Sequence, residues 1–208
     1  MNRLFVAVFV AAGFFLTSCG GGLSSSLPKI GKVDIQMLGD KAELQKIYDV
    51  ILQTTGDNIT KMDEVQIYVS SPLIEKGREN RENDFNLVVD YLNPKDKNKL
   101  QRALYNSEVG WQSLPVEIEL RHDADAESFV LEETMFDMSS FSAEKLFKIV
   151  QDALAKYGNK EKYSVQYVKS IDIKADGVEV TIYCRLTSNN IEQKHYYKAD
   201  FNGAEMKE

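Results

Sequence analysis

The sequence has little of what catalytic sites need, with two histidines and two cysteines among 208 residues. It has no Gly-Xaa-Ser-Xaa-Gly elbow for a serine nucleophile, and its only glycine cluster follows Cys19, so it lacks a glycine-rich phosphate loop. Cys184 precedes His195 by eleven residues, but no residue is placed to orient that pair. Glu132 and Glu133 are neighbours on a predicted strand, so they point to opposite faces and do not flank one bond. We therefore predict that the protein is not an enzyme.

The two histidines also lack the neighbours that a metal site requires. His122 lies in an acidic segment from Arg121 to Glu127, but no second histidine stands at a ligand spacing from it. An acidic turn is the favoured interpretation of this segment. His195 lies on a predicted strand, where an exposed or cross-strand position is favoured over a catalytic base. We expect no metal and no other cofactor.

Proline and basic clusters are scarce as well. The chain has four prolines and no low-complexity repeat, which argues against long disorder. Its net charge is −7, and Arg3 is the only charged residue before residue 19, so the remainder is more acidic still. Lysines are interspersed with acidic residues and form no cluster. A nucleic-acid partner is therefore not expected.

No apolar run is long enough for a membrane anchor. The longest one extends from Leu4 to Leu16, whereas a stable span needs about 18 residues or more. Arg3 precedes this run, and Leu16-Thr17-Ser18-Cys19 ends it with two small residues and a cysteine. This pattern resembles the signal peptide and lipobox of bacterial lipoproteins. The alternative is an ordinary secretory peptide with a chance cysteine.

The lipobox resemblance implies a cell-envelope address. Residues 1–18 would be removed as a signal peptide, Cys19 would carry the lipid that holds the protein to a membrane, and residues 19–39 would contain a flexible Gly/Ser-rich tether. Such lipoboxes are typical of the Bacteroidota, whose surface-exported lipoproteins often carry an acidic run after the cysteine. None follows Cys19, so we expect an outer-membrane lipoprotein that faces the periplasm.

Lipidation of Cys19 would leave Cys184 without a disulfide partner inside the chain. Its neighbours Thr181, Ile182 and Tyr183 form a strand-like run. A buried, small hydrophobic side chain is therefore favoured over a reactive thiol.

Two segments carry matching helix signals. Asp40 is the predicted N-cap of a helix over 41–55, with Gly56 at its end. Ser142 is the predicted N-cap of a second helix that ends at Gly158. With a shift of 102 residues, apolar positions of the two helices coincide, as Leu44 does with Leu146 and Ile47 with Ile149.

Alternating strands follow each helix. They include a run from Phe85 to Tyr91 and another from Val178 to Cys184, with turn signals at Asp176-Gly177 and Asn189-Asn190. The segment from Pro72 to Asn83 is predicted to be a solvated, charged loop. Further strands are predicted from Val116 to Leu120 and from Phe129 to Phe136.

These elements predict an α+β fold made of a tandem repeat. Each unit would hold one helix and an antiparallel meander of three to four strands, with the helices packed on one sheet face. The units would span residues 40–138 and 139–208. This element order resembles the tandem folds of PepSY-like and beta-lactamase-inhibitor-like lipoproteins. The resemblance includes no signature motif, so it implies no functional residue.

The remaining candidate for function is a sheet surface with aromatic side chains. Tyr183, Tyr196, Tyr197 and Trp111 are the candidate binding residues, although packing inside the sheet core is the commoner role of such residues. We predict a non-enzymatic envelope lipoprotein that binds a protein or peptide through its sheet surfaces. The alternative is a small-ligand carrier or a periplasmic enzyme with a site between the two units.

Overall fold

The computed structural model describes residues 33–79, 81–116 and 130–207. The predicted signal peptide, Cys19 and His122 lie outside these residues, as does the predicted strand beyond Val116. Within the described residues, no helix is both long and apolar enough to cross a membrane.

The two predicted long helices are confirmed. Helix α1 spans Lys41–Thr55, and the Asp40 carboxylate caps it by accepting hydrogen bonds from the amides of Ala42 and Glu43 at 2.8 and 3.0 Å. Helix α3 spans Ala143–Tyr157. Its cap is the Ser142 hydroxyl, which accepts a hydrogen bond from the amide of Lys145 at 3.3 Å. The buried residues of each helix lie on one face, as the apolar spacing predicts.

Seven antiparallel strands form one continuous sheet in the order β4-β3-β2-β1-β5-β6-β7. The strands are β1 Met62–Ser70, β2 Asp84–Leu92, β3 Leu100–Asn106, β4 Gly110–Val116, β5 Tyr163–Lys174, β6 Gly177–Leu186 and β7 Glu192–Ala199. Strands β1 and β5 pair at the centre, where Ile67 lies opposite Ile171. The α+β class is therefore confirmed, and the strands that follow the two long helices belong to a single sheet.

One face of the sheet forms the hydrophobic core with the two long helices. Helix α3 packs on β6 and β7, and α1 packs against α3. Burial of each large apolar side chain on this face contributes about 1.5–3 kcal/mol to folding. The fully buried positions on this face include Val65, Ile67, Val69, Phe85, Leu87, Val89, Ile171, Ile173, Val178, Val180, Ile182 and Cys184.

Two predicted turns are confirmed by their backbone geometry. Gly177 has a φ of 135°, and a Cβ at this position would lie 2.3 Å from the carbonyl oxygen of Ala199. Only glycine therefore fits the start of β6. Asn190 lies between β6 and β7 with a φ of 58°, in the left-handed region that asparagine tolerates.

The prediction of a wholly solvated loop between Pro72 and Asn83 is wrong. A short helix, α2, spans Pro72–Lys76. It is capped by Ser71, and its Glu75 is drawn into an ion pair with β5. Burial of that carboxylate depends on a partner 94 residues away, which no local pattern reveals.

The segment before α3 also differs from prediction. Strand β4 begins at Gly110, before the predicted start at Val116. The predicted return strand from Phe129 to Phe136 is wrong within its described part, because a 3₁₀ turn occupies Leu131–Thr134 and Phe136 alone bridges to Met62. Glu132 and Glu133 therefore lie on a helical turn. Leu131 and Phe136 instead belong to two separate clusters of buried hydrophobic residues.

Candidate functional site

The sheet face opposite α1 and α3 is the candidate binding surface, and we call it the uncovered face. It carries the side chains that alternate with the buried core positions. Gln66 lies opposite Val88, and Val88 lies opposite Leu104, so these three side chains share the face. They are partly exposed, in contrast to the fully buried Ile67 and Leu87.

A row of apolar and aromatic side chains crosses the uncovered face from β1 to β4. We call Tyr68, Val88, Leu104 and Leu114 the apolar stripe. Val88 and Leu104 are direct cross-strand partners, whereas Tyr68 and Leu114 are the diagonal neighbours at either end. Leu114 is 40% exposed and the other three are partly exposed. Adjacent apolar side chains that remain accessible on a sheet are a feature of protein-binding surfaces.

A buried ion pair fixes α2 onto the part of the uncovered face that β5 forms. The Lys169 ammonium donates to the Glu75 carboxylate, which also accepts from the Tyr167 hydroxyl at 2.7 Å and from the Ser71 amide at 3.1 Å. Burial by itself would raise the pKa of Glu75, but these hydrogen bonds, with that of Lys169 the largest, outweigh it and lower the pKa. Burial and the Glu75 carboxylate together raise the pKa of Tyr167.

A second contact attaches α2 to β6. Arg185 donates to the carbonyl oxygen of Ile74 and, at 3.1 Å, to both Tyr183 and Glu192. The Tyr183 hydroxyl donates to Glu192 at 2.6 Å. Burial, followed by this hydrogen bond, raises the pKa of Tyr183 to about 12.

Aromatic rings surround the buried ammonium. The Lys169 Nζ lies 5.4 Å from the ring centroid of Tyr68 and 5.6 Å from that of Tyr183. We call Glu75, Lys169, Tyr167, Tyr183, Arg185 and Glu192 the clamp. The clamp contains two acidic and two basic side chains, which balance in charge. Its contacts hold α2 against the sheet.

Carboxylates crowd the middle of the uncovered face. Asp90 accepts a bidentate pair of hydrogen bonds from Arg102, at 2.8 and 2.6 Å. Burial, followed by the charges of Glu64 and Glu179, raises the pKa of Asp172 despite its hydrogen bond from Ser170. Burial, followed by the charge of Asp90, likewise raises the pKa of Asp63. Burial and neighbouring carboxylates thus disfavour the ionised forms of Asp63 and Asp172 in the folded protein.

The four predicted binding aromatics do not form one surface. Tyr183 and Tyr196 belong to the uncovered face, but Tyr183 is 1% exposed inside the clamp, whereas Tyr196 is 56% exposed. Tyr197 is 5% exposed on the helix-covered face. Trp111 also lies on that face, opposite Tyr105, and packs against the core. Of the four, Tyr196 is the one whose ring is largely available to a partner.

His195 occupies the cross-strand position that the sequence predicts. It lies opposite Ile182, stacks on Tyr157 with centroids 4.6 Å apart, and contacts the Tyr163 hydroxyl through Nε2 at 2.9 Å. Burial, followed by the nearby Lys162 charge, lowers the pKa of His195. Its ring is therefore neutral at pH 7 and packs between two tyrosines.

Cys184 is buried, as predicted, and its thiol contacts Gln166 at 3.6 Å. Burial raises the pKa of this thiol, which lowers its reactivity. Within the described part of the chain, no three His, Cys, Asp or Glu side chains converge as metal ligands.

A cleft of about 740 Å³ lies where α2, the C-terminal end of α3 and the start of β5 meet the residues before α1. Ile35, Ile74, Leu154, Tyr163 and Gln166 are among its lining residues. It thus lies between parts of the two predicted units, where the sequence analysis places the site of the alternative function. Its volume is in the range of small-ligand sites.

Comparison with protein-family models, curated proteins and solved structures found no match to this chain. The resemblance to bacterial lipoproteins and to PepSY-like folds therefore stays a prediction.

Sequence reasoning missed the apolar stripe and the clamp. A signal for the stripe does exist in β2, where Leu87, Val88 and Val89 are consecutive apolar residues. In a strand, such a run places an apolar side chain on both faces. No comparable local signal marks Glu75 or Lys169 as partners.

Proposed function

We propose that the chain is a non-enzymatic cell-envelope lipoprotein that binds a protein or peptide through the uncovered face. The observation that carries this proposal is the apolar stripe, a set of accessible apolar side chains on four adjacent strands. Burying Val88, Leu104 and Leu114 against a partner would remove apolar surface from water at about 25 cal/mol per Å².

The envelope part of the proposal depends on the sequence around Cys19. A lipid on this cysteine would hold the folded body at an outer membrane, facing the periplasm, with residues 20–32 as the connection. Because one acyl-bearing cysteine leaves the sheet faces free, the anchor is compatible with binding by the uncovered face.

We also propose that the fold arose by duplication of a unit with one long helix and a meander. Support comes from the order of elements, since α1 precedes β1 to β4 and α3 precedes β5 to β7. The first strands of the two halves, β1 and β5, are neighbours at the sheet centre. A superposition without a gap, which lays residues 85–110 over residues 178–203, fails along β3 and β7, because it pairs the core residues Ala103 and Tyr105 with Tyr196 and Lys198, which face the other way. A one-residue shift between β3 and β7 is therefore required.

A fragment of residues 139–208 tests the duplication. A cooperative unfolding transition in this fragment would support an independent unit. A fully disordered spectrum would contradict it and favour a single continuous folding unit.

Site-specific photo-cross-linking in living cells tests the binding function. A photoreactive amino acid in place of Leu114, at the exposed end of the apolar stripe, should trap a discrete partner protein. The matched control is Gln53, an exposed residue on α1, which packs on the opposite side of the sheet. Equal cross-linking at both positions, or none at Leu114, would contradict the proposal.

The cleft supports a second candidate function, that of a small-ligand carrier. Replacing Leu154 with Trp would fill part of the cleft that Leu154 lines. A carrier should release a small molecule, detected by mass spectrometry after denaturation, and the Leu154→Trp variant should release less of it. Absence of any such molecule from both proteins would favour the binding function instead.

A further inference from the structure

One edge of the sheet, strand β7, has backbone groups that face away from the rest of the protein. The turn before β7 is closed by the Leu186 amide, which donates to the carbonyl oxygen of Ile191 at 2.9 Å. In an antiparallel pair the direction of the backbone groups alternates, so Gln193 and His195 bond to β6, whereas Lys194 and Tyr196 direct their amides and carbonyls outward.

Two contacts independently confirm this alternation. The Tyr157 hydroxyl donates to the carbonyl oxygen of Tyr196 at 2.9 Å, and the Met206 amide donates to that of Lys198 at 2.8 Å. Both acceptors therefore point away from β6. The second contact, with the bridge between Ala199 and Glu205, covers the C-terminal part of this edge.

The N-terminal part of the edge, from Glu192 to Tyr196, is different. No described residue hydrogen-bonds to the outward amides of Lys194 and Tyr196 or to the outward carbonyl of Lys194. An exposed strand edge of this kind is a template for an added strand.

A groove of about 490 Å³ lies beside β7 from Lys194 to Lys198, and Glu205, Met206 and Lys207 of the C-terminal segment bound it. His195 and Tyr157 line it from the helix-covered side, whereas Tyr196 lines it from the uncovered face, so the groove follows the boundary between the faces. An extended chain pairing with β7 would occupy this space.

The groove is basic although the protein is acidic. Four lysines and two glutamates line it, namely Lys156, Lys194, Lys198, Lys207, Glu179 and Glu205. Lys156 pairs with Glu205, and Lys198 pairs with Asp176. Lys194 and Lys207 have no ion-pair partner among the described residues. The whole chain has a net charge of −7, so this concentration of lysine is local.

We propose that the edge of β7 between Glu192 and Tyr196 binds an extended acidic segment of a partner protein by strand addition. The outward amides of Lys194 and Tyr196 and the outward carbonyl of Lys194 would pair with the segment's backbone, while the carbonyl of Tyr196 stays with Tyr157. Carboxylates at alternate positions of the segment would face the Lys194 ammonium, which supplies charge complementarity. A second copy of this chain fits less well, because a pairing centred on Lys194 sets two ammonium groups opposite each other.

This inference rests on the proposed function only in treating the chain as a protein-binding module. It concerns a different surface from the apolar stripe, so each proposal fails separately. Charge reversal at Lys194 leaves Leu104 and Leu114 unchanged.

The test measures binding of a fluorescent peptide to the full chain in detergent by anisotropy. The probe is a short peptide of alternating Glu and Thr, compared with the same peptide carrying Lys in place of Glu. The Glu peptide should bind, and Lys194→Glu should weaken it about tenfold. The matched control is Lys145→Glu. Lys145 is exposed on α3 and lies 12 residues before Tyr157, which places it about 18 Å from the groove along the helix.

Strand addition is distinguished from simple charge attraction by the backbone. Tyr196→Pro removes an outward amide without removing a bond to β6, so it should abolish binding while the protein remains folded. In the wild-type protein, the peptide should slow hydrogen exchange at the amides of Lys194 and Tyr196. This measurement does not depend on whether any variant folds.

Four results would overturn the inference. The first two are no binding of the Glu peptide to the wild-type protein, and equal binding of that peptide by the Lys194→Glu protein. The third is hydrogen exchange at Lys194 and Tyr196 that the peptide leaves unchanged. The fourth is self-association of the wild-type chain that is lost in the Tyr196→Pro protein.

Discussion

The ammonium of Lys169 on β5 and the carboxylate of Glu75 on α2 form an ion pair with side chains 10% and 12% exposed. Removal of one partner leaves the other charge desolvated and unpaired. We expect Lys169→Met to destabilise the fold by about 2 kcal/mol, below the range for a rigid buried pair because the short α2 can move and rehydrate Glu75. This corresponds to a fall in Tm of about 4–8 °C.

A double-mutant cycle supplies the control for that prediction. Glu75→Leu combined with Lys169→Met removes both charges, so the pair of changes should cost less than the sum of the single changes. Strict additivity in thermal unfolding would mean that the two groups do not interact.

The loss of folding stability at acidic pH should depend on Glu75. Its pKa in the folded protein is below the ordinary value of 4.5, so the folded state holds the proton less tightly than the unfolded state does. The resulting stabilisation is complete above pH 4.5 and is lost as the pH falls through the lower, folded-state pKa. The Glu75→Gln protein should therefore be less stable than wild type at neutral pH. The difference between their free energies of unfolding, measured with urea, should shrink as the pH falls through that window. A difference independent of pH would contradict this assignment.

Asp172 should behave in the opposite way. Its pKa is raised above the ordinary value of 3.8, first by burial and then by Glu64 and Glu179, so its ionised form destabilises the folded state at neutral pH. Asp172→Asn retains an acceptor for Ser170 and should stabilise the protein by about 0.5 kcal/mol, because solvent screening limits the repulsion on a partly exposed face. The gain should be present at pH 7 and disappear below pH 3.8. Unfolding curves at both pH values check the sign, and a loss of stability at pH 7 would refute it.

The lipobox gives a prediction that needs no folded protein. Cys19→Ala should abolish incorporation of labelled fatty acid and leave precursor with residues 1–18 attached. Cys184→Ala is the matched control and should retain labelling. Continued labelling of the Cys19→Ala protein would exclude Cys19 as the lipid carrier.

The helices and turns could be predicted because their signals are local. Asp40 and Ser142 cap α1 and α3 at the predicted positions, and Gly177 starts β6 where a Cβ has no room. Each of these signals lies within a few residues of the element that it defines.

The candidate site could not be predicted to the same degree, because it depends on pairing between distant strands. Glu75 meets Lys169 only when α2 crosses onto β5, 94 residues later in the chain. Tyr196 and Tyr197 are adjacent and identical in type, yet one is exposed and the other buried. Residue type reports hydrophobicity, whereas strand register decides which face a tyrosine occupies.

Quantitative capture from envelope extract tests the central claim most directly. The full chain in detergent should retain a partner saturably, and Leu104→Lys, in the middle of the apolar stripe, should lose that partner. Gln53→Lys introduces the same charge on the exposed side of α1 and should retain it. Equal retention by all three proteins, or no saturable retention by the wild type, would contradict binding through the uncovered face.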